Sequence, residues 1–513
     1  MDEKTLNGRI NHLRETFKSG ITQPLAWRRR QLCMLNKMLK ERSQEFETAL
    51  STDLRKSPYE TYLTEIGLLQ MEIDEALREL SNWSKPKSVP TPVFLHPARS
   101  YTTFEPLGVM LIIGAWNYPL LLTIGPLVYA IAAGNAAVIK PPRTASAAFM
   151  AMANLLPLYL DTDAFFVIGD DTPNELILEQ RFDKIFFTGS SATARIVMTA
   201  AAKHLTPVTL ELGGKSPALV DRTADLKVAA RRIAQGKFFN AGQTCVAPDY
   251  VLADEGILDA FVAELRSALY DFFGPSPRES ADFSRIINQK QFDQLLQYLS
   301  DSEVVVDGEW DREARYIAPT ILKNVQLDAP VMQAEIFGPI LPVLPVKDMD
   351  AAIHFVQERD KPLALYIFSK DQATIDHVLS RTTSGGACVN EAVNHVVVTG
   401  LPFGGVGNSG MGKYHGEWGF RELSNARAVL DHGTGFDPLL RYPPYNTAKM
   451  AKLKTLMEMR TPAFLDGAMR LLIGKFGNLI LRLVRPKAVE HSPLSSASAK
   501  KPQPAVQPDC VET

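Results

Sequence analysis

Cysteine is scarce in this chain. Cys33, Cys245, Cys388 and Cys510 are its only four, they are widely separated, and none forms a C-x-x-C pair. That weighs against a disulfide scaffold and fits a reducing compartment. The nine histidines show no H-E-x-x-H or related spacing, so no metal site is expected. Net charge is only −2, which removes the whole-chain electrostatic case for nucleic acid. The opening MDEKTLNGRINHLRE carries no apolar core, so no secretory signal is expected and the chain reads as intracellular and cytoplasmic. Uninterrupted apolar runs are missing too. The most hydrophobic stretch, residues 108–139, is broken by Gly114, Asn117, Pro119, Gly125, Pro126 and Gly134. It reads as strand, loop, buried helix and strand of a soluble core rather than a membrane span.

What is present is an alternation. At 513 residues, 46% of them hydrophobic, the chain is long enough for two to four domains. Residues 1–85 carry apolar positions at helical period, among them Leu32, Leu35, Leu39, Ile73, Ala76 and Leu77. The runs VMLIIG, AAVIKP, AFFVIG and DKIFFTG then recur with helical stretches between them, the pattern of a parallel sheet covered on both faces. A second α/β region starts near VTLELGGKSPALV and reaches about residue 390, with YVLA, VVV, PILPVLPV and LALYIFS as strands. HVVVTGLPFGG, residues 395–405, reads as a further strand and loop. In 464–484, Leu465, Met469, Leu472, Phe476, Leu479, Ile480 and Leu483 form a stripe among Arg470, Lys475 and Arg482. That segment suits either a basic amphipathic helix on a membrane surface or a helix docked on the protein itself. From His491 the Ser, Pro, Ala and Lys content predicts disorder.

Three short stretches bear on chemistry. GVGNSG, residues 405–410, matches the dinucleotide fingerprint G-x-G-x-x-G letter for letter. The fingerprint needs a strand before it and a helix after it. The lead-in LPFG and the sequel MGKYHGEWG, with its three glycines, supply neither. KFFNAGQTCVAP places Cys245 among small residues, where a cysteine is either a core hydrophobe or a nucleophile. TLELGGKSP ends an apolar strand on Glu211, and a carboxylate there calls for a structural ion pair or a general base.

Taken together, LELGGKSP and GQTC resemble the paired signature of the aldehyde dehydrogenases, with Glu211 and Cys245 34 positions apart. GAWNYP, FTGS, EIFGP and LPFGGVGNSGMG follow in the order of that family, and the likeness runs from about residue 5 to about residue 430. AWNYPLLL and PFGGVGNSGMGKYHG are similar to the class-3 and fatty aldehyde dehydrogenase branch in particular. The resemblance implies an α/β aldehyde dehydrogenase-like fold: a Rossmann-type NAD-binding domain (1–87 and 107–210), an α/β catalytic domain (211–390), and a small β oligomerisation arm with C-terminal loop (88–106 and 391–435). An amphipathic tail (440–485) and a disordered end (486–513) complete the expected organisation.

The same resemblance implies Cys245 as nucleophile, Asn117 as oxyanion donor beside the Cys245 N–H, and Glu211 as the base that activates water. It implies that Trp116, Lys140, Gly189, Ser190, Ser191, Ala192, Thr193, Ala194, Glu335 and Phe337 hold the nicotinamide cofactor. A helix opening at Ser190 would face the diphosphate. Two departures stand out. Ala194 replaces a common glycine, and Arg143 replaces a glutamate that usually bonds the adenosine ribose, so NADP is expected to be tolerated beside NAD. In this pattern GVGNSG is a loop bordering the catalytic domain, and Cys388 takes no catalytic part. The expected substrates are long, apolar aldehydes: fatty aldehydes by default, a polyene apocarotenal as the alternative. The expected assembly is a homodimer, with a membrane surface as a further partner through the tail. A non-catalytic relative would have lost Cys245, Glu211 or Asn117, and all three are present. A coenzyme A-acylating enzyme would have no use for Glu211.

Overall fold

Strands of alternating address organise the first half of the chain. In Val109–Ile113 every residue is buried, because the sheet it joins is covered on both faces. Met110 and Ile112 enter one core, with Leu35, Leu39, Ile73, Leu80, Ile124 and Val128 from three helices. Val109, Leu111 and Ile113 enter another, with Leu6, Ile10 and Leu13 of the helix Glu3–Lys18. The two-residue period of a strand sorts its side chains between these cores. The computed structural model describes residues 1–299, 303–306 and 308–458. The expected amphipathic stripe at 464–484 and the expected disordered end lie outside the described residues.

Two units are distinguished by their contacts: Met1–Lys85 with Phe104–Ala426, and Pro86–Thr103 with the chain from Arg427. The first holds two sheets. One has six strands in the order Gly410–Met411, Val208–Glu211, Lys184–Thr188, Val109–Ile113, Ala136–Lys140 and Phe165–Val167. Its five long-sequence neighbours are parallel, and only Gly410–Met411 runs antiparallel, with Gly410 opposite Glu211. The other has seven: Glu303–Val306, Thr320–Lys323, Ile340–Val346, Tyr250–Asp254, Pro217–Val220, Ala364–Phe368 and Gly386–Val389. All its pairings are parallel except that of Glu303–Val306. The α/β class with parallel sheets expected from the alternating runs is therefore the observed one.

The helix Leu121–Ala133 is apolar on every side and buried along almost its whole length. It stops at Gly134, whose φ of +88° lies in the left-handed region that glycine occupies without strain. Arg28 donates to the Ala132 carbonyl at 3.0 Å and so satisfies one of the acceptors that the helix end leaves open.

One expected strand is absent. HVVVTGL is rich in β-branched residues, yet Asn394–Val397 forms a 3-10 turn. Val393 before it sits at φ +66°, and the Asn394 and Val396 N–H groups bond locally to the Ala392 and Val393 carbonyls. Those local bonds use the donors that a sheet ladder would need. In the second unit, Lys87–Val89 pairs antiparallel with Arg99–Pro106, and Ser424–Asp431 adds the third strand. The helix Thr447–Glu458 exposes Met450, Leu453 and Met457. Among the described residues, no helix is long and apolar enough to cross a membrane.

Candidate active site

The carboxylate that ends the Val208–Glu211 strand is the least explicable group in the fold on structural grounds alone. Glu211 is 2% exposed, and neither of its carboxylate oxygens has a hydrogen-bond partner. Burial lifts its pKa well above the ordinary carboxylate range, Lys413 draws it partly back, and Glu422 pushes it further up. A buried, unsatisfied carboxylate is costly, and such groups concentrate where chemistry needs them. Its main chain is held firmly. The Gly189 N–H donates to the Glu211 carbonyl at 3.0 Å, and the neighbouring Leu212 N–H donates to Ser409 at 3.2 Å.

Cys245 follows the turn Phe239–Gly242, in which Asn240 and Ala241 both adopt left-handed φ near +50°. Non-glycine residues rarely do so, and such backbone is found where surrounding bonds over-determine it. Here Asn240 Nδ2 donates to the Asn117 carbonyl at 2.8 Å, while Gln243 exchanges bonds with Asn240, Arg285 and Ile287. The Cys245 thiol is pushed up to about 12, first by burial and then by the negative charges of Glu335 and Glu211. Asn117, 3% exposed, lies in the loop between Val109–Ile113 and Leu121–Ala133. Next to it the Tyr118 hydroxyl meets Thr244 Oγ1 at 2.6 Å, tying the Asn117 loop to the residue before the thiol.

The residues assigned to the cofactor fall around the start of one helix. Ser190 caps Ser191–Ala202 by accepting from the Thr193 N–H at 3.3 Å, so the sequence reading of a strand, Gly189 and a helix describes the local structure. Ala192 is exposed in the first turn, whereas Ala194 is buried in the core beneath it. The Ala194 methyl therefore sets how the helix rests on the sheet and does not reach the surface. Two cavities flank this helix start. One, of about 550 Å³, is bordered by Lys140, Ile113, Phe187, Thr193 and Ile196. The other, of about 290 Å³, is bordered by Ser190, Ser191, Gly213, Lys215 and Glu335. Lys140 is held near pKa 8 by burial and by Arg143. Arg143 donates to the Thr172 carbonyl, and a guanidinium retains further N–H donors.

Glu335 is held near pKa 8, chiefly by burial and by Asp249. It lies so close to Gly213 that a Cβ there would be 2.1 Å from Oε2. Trp116 and Phe337 meet edge to face with ring centroids 5.3 Å apart, and Phe337 is itself at φ +51°. An apolar cavity ending on a lysine, a helix N-terminus, and a second cavity ending on a carboxylate form a cradle suited to an extended dinucleotide.

Several participants escape a sequence reading. Lys237 is wholly buried, its Nζ has no hydrogen-bond partner, and burial lowers its pKa to about 8 while Asp249 and Glu335 counteract. It continues the buried stripe Ala230, Ile233, Ala234 of its helix, and a lysine on such a stripe is the signal that could have found it. Lys215 pairs with Asp249 and also donates to the Val331 and Ala334 carbonyls, fixing the segment that leads to Glu335. GVGNSG stands nearer the chemistry than a bordering loop suggests. Gly410 pairs with Glu211, and Asn408 and Ser409 border the smaller cavity.

Residues 1–429 match the model of the family described as Aldehyde dehydrogenase family. Aldehyde dehydrogenase family 3 member B1 of Rattus norvegicus is 47% identical over 455 residues, covering 88% of this chain and 97% of its own. Aldehyde dehydrogenase, dimeric NADP-preferring, of Mus musculus is 46% identical over 86% of this chain and 98% of its own. Among solved structures, the substrate-bound state of Staphylococcus aureus AldH superposes with a TM-score of 0.86 at 40% identity, covering 88% of this chain and 99% of that one.

Proposed function

The chain belongs to the aldehyde dehydrogenase family and is an NAD(P)-dependent aldehyde-oxidising enzyme, and from that premise we propose that it converts long, apolar aldehydes to carboxylic acids through Cys245. The observation that supports the residue assignment is Glu211, a buried carboxylate with no partner on either oxygen at the end of its strand. In the proposed first step the Cys245 thiol passes its proton to the Glu211 carboxylate as the sulfur attacks the carbonyl carbon, and the carbonyl π pair moves onto oxygen. The resulting oxyanion is received by the Asn117 side-chain amide and the Cys245 N–H. NAD(P)⁺, when bound, supplies the hydride acceptor. Glu211, once it has released its proton to bulk water, takes a proton from the water that hydrolyses the thioester; burial gives this carboxylate a higher proton affinity than an ordinary one.

Lys140, Gly189 to Thr193, Glu335, Phe337 and Trp116 are proposed to hold the cofactor across the two cavities, with residues 1–87 and 107–210 as its domain. Arg143 keeps NADP acceptable, since its spare donors can pair with a 2′-phosphate. One relative carries NADP-preferring in its name.

Fatty aldehydes are the proposed substrates on the strength of the branch resemblance and the tail sequence. A polyene apocarotenal makes the same demand for an apolar channel. The test is a kcat/KM series over saturated aldehydes of increasing chain length, with a polyene aldehyde included. Efficiency should rise with chain length, and a preference for short aldehydes would overturn the substrate proposal. The same relative is named dimeric, and a homodimer is proposed for this chain. A monomeric mass by light scattering at micromolar concentration would refute it. Tail-dependent association with a membrane surface is proposed as well. Flotation with anionic vesicles, with and without residues 440–513, checks it.

A further inference from the structure

Two buried carboxylates five residues apart reach the Cys245 and Asn117 loops from successive turns of one helix. Glu60 is 5% exposed and Glu65 is fully buried. In an α-helix, positions five apart diverge around the axis. Here Glu60 lies in the α-turn Pro58–Thr61 and Glu65 in the π-turn Tyr62–Ile66 that follows, whose Gly67 N–H returns to the Tyr62 carbonyl; the wider turn changes the angle between the two positions. Glu60 accepts the Asn240 N–H at 2.7 Å, in the loop that carries Cys245. Glu65 accepts the Leu120 and Leu121 N–H groups at 2.8 and 3.3 Å, in the loop that carries Asn117. Lys56 completes the arrangement. Its Nζ donates to Glu65 at 2.7 Å and to the Asn117 carbonyl at 3.3 Å, and stands 4.2 Å from the Tyr118 ring centroid. The Lys56–Glu65 pair has no exposed side-chain surface.

A buried ion pair is weak support for stability as such, because desolvation offsets most of its attraction. Its use has to be sought in what it positions. We propose that Lys56, Glu60 and Glu65 are positioning residues that set the distance between the Cys245 thiol and the Asn117 amide by gripping both loops from the start of one helix, Lys56 just before it, Glu60 in its first turn and Glu65 in the π-turn. The proposal rests on the assignment of Cys245 and Asn117 as the reacting pair.

Gly67 offers a perturbation that touches no charge. A Cβ there would lie 2.8 Å from the Tyr62 carbonyl oxygen, so Gly67→Ala forces the π-turn to rearrange. The double variant Lys56→Met/Glu65→Gln removes the charge pair as a unit while leaving an amide oxygen for the Leu120 and Leu121 donors. In both variants kcat for a long-chain aldehyde should fall about tenfold or more, a misplaced donor costing up to the roughly 100- to 1000-fold of one removed outright. KM and cofactor affinity should stay within about twofold. Alkylation of Cys245 by iodoacetamide should keep its rate, because that reaction develops no oxyanion to be held. General structural damage would lower alkylation and kcat together. A kcat within about twofold of the parent in both variants overturns the proposal, as does a parallel loss of alkylation. If neither variant folds, hydrogen exchange on the unmodified protein decides. The Leu120, Leu121 and Asn240 amides should exchange with the core, and exchange at surface-loop rates refutes the brace. Cys245→Ala run beside these separates the two levels: retained oxidation there removes the premise, whereas abolished oxidation with intact brace variants removes only the proposal.

Discussion

Adding one methyl group at Gly213 should uncouple cofactor binding from an otherwise intact site. A Cβ at that position would stand 2.1 Å from Glu335 Oε2, 2.5 Å from Oε1 and 2.6 Å from the carboxyl carbon. Ordinary contact begins near 3.4 Å, so the carboxylate must retreat by about 1.3 Å, the difference between 3.4 and 2.1. Gly213 has no left-handed φ, so alanine itself is unstrained there and the displacement falls on Glu335. If Glu335 contributes one charge-assisted hydrogen bond to the nicotinamide ribose, losing it removes about 1.5–3 kcal/mol. That is about a 10- to 150-fold weaker Kd. Fluorescence titration with NADH and NADPH measures it directly. Iodoacetamide alkylation of Cys245 without cofactor should not slow, because the Glu335 charge raises the thiol pKa and moving it away can only ease ionisation. Glu335→Gln should give a comparable loss, and the double variant should be little worse than either single one. A folded Gly213→Ala protein that binds both reduced cofactors within about twofold of the parent would mean that Glu335 does not touch the cofactor.

Three further outcomes are expected. Cys245→Ala should lose aldehyde oxidation while still binding NADH in a fluorescence titration; residual turnover at the parental rate would eliminate the thiol route. Arg143→Glu should depress kcat/KM with NADP⁺ relative to NAD⁺ by about tenfold or more, and an unchanged ratio in steady-state kinetics would free Arg143 of that role. Burial holds the Glu72 carboxyl near pKa 8 against an ordinary 4.5, so the folded protein keeps a proton that the unfolded chain releases. That stability is fully present below pH 4.5 and is lost as the pH rises through 8. Glu72→Gln mimics the neutral form, and its Tm should therefore fall less between pH 5 and pH 8 than the parent's; equal slopes would contradict the assignment.

Cys245 and Glu211 were legible because each sits in a short, distinctive string, GQTC and LELGG, at a spacing that ties one to the other. The parallel sheets were legible from continuous apolar runs, since a strand buried on both faces has no polar side to alternate with. The brace was not. Lys56, Glu60 and Glu65 lie among other polar residues in RKSPYETYLTE, a pattern that reads as a solvated helix face, and only the π-turn directs the two carboxylates inward. HVVVTGL failed in the opposite way. Its β-branched residues favour a strand, but the backbone at Val393 turns the segment into local bonds before any edge is reached. Lys237 was hidden because a lysine near a helix end is normally read as exposed.

The pairing of Gly410–Met411 with the Val208–Glu211 strand also has a meaning in time. A ribosome delivers residue 211 about 200 positions before residue 410. Until the later segment emerges, the Glu211 strand is an open sheet edge, a template for pairing with another nascent chain. Over the same interval Glu211 lacks its Gly410 partner, while the loop that carries Cys245 is already synthesised. Closing the sheet last makes catalytic competence and protection from aggregation arrive in one event. Chains truncated before Gly410 should accordingly be both inactive and prone to associate.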